Sequence, residues 1–184
     1  LTSSNTAAIT IAPATLSFNA ANWNVPQSVL LSGVADANTA SETVTITGNG
    51  TDLGTNTVSI NTVDTSSMSI ILTAASTTVS EGGTATMNVK LSSEPSPSLI
   101  VTMASSNIAS ISASPLTLTF DNVCPGAQCW STNQTVTLTG AEDANQSSES
   151  VTISASAPAT TGASLNFTTI ENDTSVVLGG AVSV

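Results

Sequence analysis

The sequence predicts an all-β protein of two tandem antiparallel β-sandwiches, the first of them lacking its opening strands. Three observations carry that expectation: strand-like runs of two-residue period, no stretch of about ten or more residues with helical apolar spacing, and an internal repeat. In the fuller copy, residues 66–174, the runs come in order as SIIL, TATMNVKL, LIVTM, SISAS, LTLTF, QTVTLTG, ESVTISAS and SLNFTTI. Thr and Val carry them, because a branched Cβ packs well on a pleated surface and is stiff in a helix. In QTVTLTG, Val136 and Leu138 alternate with Thr135, Thr137 and Thr139, which sends apolar side chains to one face and hydroxyls to the other. Short strands at this spacing, with turn residues between them, read as a sandwich.

The repeat fixes the domain boundaries. LTSSNTAAITIAPATLSF (1–18) lies over MASSNIASISASPLTLTF (103–120) with 9 identities in 18, and WNVPQSVLLSGVADANTASETVTI (23–46) over WSTNQTVTLTGAEDANQSSESVTI (130–153) with 13 in 24. The offset changes from 102 to 107 where the second copy carries CPGAQC, an insertion that the first copy does not have. Residues 1–65 are therefore expected to form an incomplete sandwich and 66–174 a complete one. Residues 175–184 form a separate C-terminal strand in this reading. Phe18 with Trp23, and Phe120 with Trp130, recur at equivalent positions and are expected to anchor the two cores.

Charge narrows the function. The chain has 12 Asp and Glu against one Lys or Arg, Lys90, with no His and a net charge of −11. Such a polyanion cannot neutralise phosphates, so nucleic acid and anionic lipid are excluded as partners. Without histidine, most acid–base and triad mechanisms lose their parts, and a non-enzymatic role is expected with no catalytic residue assigned. A carboxylate pair such as Asp143 and Glu149 acting on a glycan is the remaining enzymatic arrangement. Thr and Ser together number 61 of 184 residues, and no apolar run is long enough to insert in a membrane. Cys124 and Cys129 flank a Pro-Gly turn; a short-loop disulfide is expected, the alternative being two free thiols in a reducing compartment.

The stretch from VSEGGTATMNVKLSS through LTLTF to VTLTGAEDANQSSESVTI resembles the Calx-β-like and immunoglobulin-like repeats of bacterial surface adhesins. The first copy matches with LSF, NWNVPQSV and GVAD. The resemblance implies an extracellular, cell-surface location and tandem sandwiches used as stalks or fibres. It also implies Ca²⁺ held by loop carboxylates at one end, with no other cofactor required. By position the ligands would be Glu81, Glu142, Asp143, Glu149 and Asp173, with Glu171 beside them, and in the partial copy Asp36, Glu42 and Asp64. Hard oxygens suit that ion. A cell-surface glycan or protein receptor is a further expected partner. Asn49, Asn133, Asn145, Asn166 and Asn172 stand in Asn-x-Ser/Thr triplets and would accept glycans in a host with that machinery.

At the other end, VVLGGAVSV (176–184) can be laid over VSEGGTATM (79–87). Two arrangements fit. In one, Val176, Val177, Leu178, Ala181, Val182 and Val184 form a polymerisation strand that enters the open first module of another copy, head-to-tail. In the other, the chain is a piece of a longer covalent array.

Overall fold

The computed structural model describes residues 1–173, which are all-β, in four sheets, with no helix among them. The chain divides into two compact units, one over Leu1–Ser66 and the other from Ser67 onward.

The first unit holds β1 (Thr2–Ser3), β2 (Ile9–Ala12), β3 (Leu30–Gly33), β4 (Thr43–Gly50) and β5 (Leu53–Asn61). β1, β4 and β5 make one antiparallel sheet; β2 and β3 make another. Asn49 sits where the β4–β5 register shifts between Gly48 and Gly50. The core of this unit is small: Ala8, Ile9, Val44 and Ile46 are buried, with Ile11, Leu31 and Ile60 half-buried against them.

The second unit holds β6 (Ile70–Ala74), β7 (Thr78–Ser80), β8 (Thr84–Leu91), β9 (Leu99–Ser105), β10 (Ile111–Ser114), β11 (Thr117–Phe120), β12 (Gln134–Gly140), β13 (Ser150–Ser156) and β14 (Ala163–Ile170). One sheet has the order β10-β12-β8-β6 and the other β11-β9-β13-β14-β7; every pairing is antiparallel except that of β14 with β7. This arrangement fits a β-sandwich. Its core draws Met87, Val89, Leu91, Val136 and Leu138 from the first sheet and Val101, Phe120, Val151, Ile153 and Phe167 from the second. The alternation on β12 explains the packing: Val136 and Leu138 are buried while Thr135 and Thr139 face water. The eight runs read from sequence become nine strands, because β7 is only three residues long and too short to show a period.

Cys124 and Cys129 are joined by a disulfide in the loop after β11, with their Cα atoms 5.1 Å apart. Beside it, Trp130 is half-buried against the core, and its carbonyl accepts a hydrogen bond from the Leu91 N–H at 2.9 Å.

Strand registers recur between the units. Ile9 faces Gly33 as Ile111 faces Gly140, Thr2 faces Thr47 as Ala104 faces Ser154, and Thr43 faces Asn61 as Ser150 faces Thr168. The described residues of the first unit contain no counterpart of β6, β7, β8 or the start of β9. This corrects one expectation. Phe18 and Trp23 are not core residues: they are 53 % and 71 % exposed, whereas Phe120 is fully buried. The reason lies in pairing. β11 is a strand because Thr117–Phe120 pairs with Leu99–Thr102 of β9, and Thr15–Phe18, its counterpart, has no such partner among the described residues and forms no strand. Trp130 likewise borders Leu91, a residue of β8.

Candidate metal centre

Three segments of the second unit converge on one end. β7 runs on into Glu81, β14 runs on into Glu171 and Asp173, and the loop between β12 and β13 carries Glu142, Asp143, Asn145 and Glu149. The strand period continues past the strand ends. Val79 and Glu81 fall on one face of β7, and Thr169 and Glu171 on one face of β14, so inward-facing acids follow inward-facing strand residues.

Glu81 is 95 % removed from solvent, at 5 % exposure. Its Oε2, with Oε2 of Glu171 and Oδ2 of Asp173, is buried without a hydrogen-bond partner. Carboxylate oxygens of Glu81, Glu171 and Asp173 all lie within 4.8 Å of one another. Oxygens that close can share one divalent ion, since Ca²⁺ sits about 2.3–2.6 Å from each ligand. An unpaired buried carboxylate is costly, and a cation offsets that cost. The donor set thus fits a hard cation.

The other candidate residues stand around this trio. Glu142 accepts from Asn172 Nδ2 at 3.3 and 3.4 Å, and the same amide donates to the Glu81 carbonyl at 3.5 Å. Glu142 also lies over Gly82, whose φ of +61° and lack of a side chain leave room for that carboxylate. Asn145 Nδ2 ties Asp143 Oδ1, at 2.6 Å, to Glu149 Oε1, at 3.3 Å. Thr169 Oγ1 lies 2.8 Å from Glu149 Oε2 and 3.4 Å from Glu171 Oε1. The five acids assigned from sequence therefore divide: Glu81 and Asp173 meet Glu171 at the centre, while Glu142, Asp143 and Glu149 form a hydrogen-bonded rim. Asn145 and Asn172 are engaged in this rim, whereas Asn133 is exposed before β12 and Asn166, exposed on β14, accepts from Thr152.

In the first unit the loop Asp36–Glu42 repeats the turn of Asp143–Glu149. Asn38 N–H donates to Asp36 Oδ1 at 3.0 Å and Ala40 N–H to Asn38 Oδ1 at 2.6 Å, as Asn145 and Ser147 do in the other copy. Glu42 accepts from Thr62 as Glu149 does from Thr169. Asp64 accepts from the Ser66 N–H at 2.6 Å. Asp36, Glu42 and Asp64 line one shallow depression, but the first unit has no counterpart of Glu81 to join them.

Titration follows from these environments. Burial, then the charges of Asp143, Asp173 and Glu142, holds Glu81 above the ordinary carboxylate value of 4.5. Burial, then Glu81, Glu149 and Asp143, does the same for Glu171. Glu149 is lowered, first by the Thr169 hydroxyl and then by Asn145, and Glu42 is lowered chiefly by Thr62. The two raised groups contribute stability that is fully present below 4.5 and lost as pH rises through their folded values. Glu149 contributes above 4.5 and loses its share as pH falls through its depressed value. In chelator, the melting temperature of the second unit is expected to rise as pH falls toward 4.5 through the raised values of Glu81 and Glu171. Calorimetry across that range checks it, and a falling profile would contradict the assignment.

No family model matches the sequence, and no curated protein matches it either. No helix among the described residues is long and apolar enough to cross a membrane.

Proposed function

We propose that the chain is a structural, non-enzymatic segment of an extracellular filament or adhesin stalk, built of tandem immunoglobulin-like, Calx-β-like sandwiches completed head-to-tail by strands of another polypeptide stretch. The observation that carries this reading is the uncovered pair of strands in the first unit. Among the described residues β5 pairs only with β4 and β3 only with β2, whereas their counterparts β14 and β12 also pair with β7 and β8. Unpaired strand edges recruit further strands, and addition of a strand is a common mode of assembly. The near-absence of Lys and Arg, together with a hydroxyl-rich surface, suits a durable surface appendage. The donor strand assigned from sequence, Val176–Val184, lies outside the described residues.

Electron microscopy of the purified chain is the test. Filaments that lengthen with protein concentration are expected, and particles of single-chain size at every concentration would contradict head-to-tail assembly.

A second reading is a calcium-dependent adhesion or glycan-binding module within a longer covalent array. It is favoured by the unpartnered oxygens of Glu81, Glu171 and Asp173.

A further inference from the structure

We infer that the uncovered face of the first unit is the seat of a nearly uncharged, multi-stranded segment of the same sequence class as residues 67–102, entering with one strand parallel to β5 and another antiparallel to β3. The inference rests on the structural reading above and adds what the occupant must be.

The second unit provides the template, since it presents the same strands in the same register with the seat filled. There β7 runs parallel to β14, matching Thr168 to Thr78 and Thr169 to Val79, and β8 runs antiparallel to β12, matching Leu138 to Ala85 and Val136 to Met87. The apolar faces tell the same story. Val29, Leu31 and Ile60 are only half-buried, while their counterparts Val136, Leu138 and Phe167 are at 0 % exposure. What closes over those counterparts includes Ile70, Val79, Met87, Val89, Leu91 and Val101, spread over four strands. A single added strand touches one edge and one stripe of this face; it cannot deliver that set.

A glycine gives independent support. In the second unit Gly140 has no room for a side chain, because a Cβ there would overlap the Ser80 carbonyl of β7. Its counterpart Gly33 holds the same place opposite Ile9, yet a Cβ on Gly33 would meet nothing within 4 Å. Gly33 keeps clear the space that a β7-like strand needs for close backbone approach. Charge sets the last requirement. The first unit carries Asp36, Glu42, Asp52 and Asp64 and no Lys or Arg, so an acidic segment would be opposed. Residues 67–102 carry only Glu81, Glu94 and Lys90.

The test is the full chain with a second copy of residues 67–102 fused ahead of Leu1, so that Thr102 precedes Leu1 as it precedes Met103. Acrylamide quenching of Trp23, isolated by comparison with Trp23→Phe, is the readout. In the unfused chain, kept dilute enough that no filaments form, Trp23 is expected to quench as an exposed indole, and in the fused chain at the same dilution its quenching should fall to that of Trp130. Gly33→Val is expected to leave the melting of the unfused chain unchanged and to restore full quenching in the fused one. Full exposure of Trp23 in the fused chain would overturn the inference, as would indifference of the fused chain to Gly33→Val. Equal protection of the unfused chain by a synthetic peptide of residues 174–184 would show that one strand suffices and would also overturn it. Microscopy separates the two claims. Filaments from the unfused chain, with Trp23 still exposed in the fused one, sink the seat alone; protection by fusion without filaments sinks the assembly alone.

Discussion

Phe120→Ala is expected to destabilise the second unit by about 3–5 kcal/mol, while Phe18→Ala, at the equivalent repeat position, changes stability by no more than about 0.5 kcal/mol. The two phenylalanines end the same Leu-x-Phe pattern, so local sequence offers no reason for them to differ. Their surroundings do. Phe120 is fully buried opposite Leu99 on β9, and truncating it removes apolar burial and leaves a cavity among side chains already in contact. Phe18 is 53 % exposed, lies in no paired strand and borders an open depression, so its truncation leaves no enclosed void. Urea titration of both variants, followed by a probe of the second unit and by total circular dichroism, measures the contrast. Equal losses would mean that Phe18 is covered in solution. A loss of this size is a large fraction of a domain's stability, so Phe120→Ala is also expected to lower the yield of folded protein.

Calcium is expected to raise the stability of the second unit by about 2.7 kcal/mol at a hundredfold excess over its Kd. Glu81→Gln should abolish that increment. The same variant in chelator should be at least as stable as the parent, because it removes a buried charge that has no partner at Oε2. The opposite signs matter: a residue needed only for packing would lose stability in both conditions. Asp52→Asn, at an exposed acid of the first unit, is the control and should leave the calcium response unchanged. Melting curves in calcium and in chelator decide the matter, and no shift on adding calcium to the parent would end the metal reading.

Several strands were legible in the sequence because alternation on a half-buried sheet writes itself into the chain. β12 and β13 read directly, Val136 and Leu138 pointing in and Thr135 and Thr139 out. β7 did not, since three residues ahead of Glu-Gly-Gly show no period, yet β7 carries Val79 into the core and leads Glu81 to the acidic end. The repeat located Phe18 and Trp23 correctly within the pattern but gave the wrong burial. A repeat position specifies where a side chain points, and whether water is excluded there depends on strands elsewhere. At the candidate centre, residue type and loop position brought in Glu142, which instead accepts from Asn172 over Gly82. The better signal was the strand period carried past its end, from Thr169 to Glu171 and from Val79 to Glu81.

On the proposed reading, in which strands of another stretch complete the first unit, a buried core of only Ala8, Ile9, Val44 and Ile46 is what the unit should show by itself. Four small or medium side chains give a 66-residue unit little burial to set against the entropy of ordering its chain. Hydrogen exchange on the dilute full chain measures that deficit strand by strand. The amides of β3 and β5 are expected to exchange at least tenfold faster than those at the matching positions of β12 and β14. Equal protection of the paired strands would show that the first unit is closed and stable by itself, and would contradict the account.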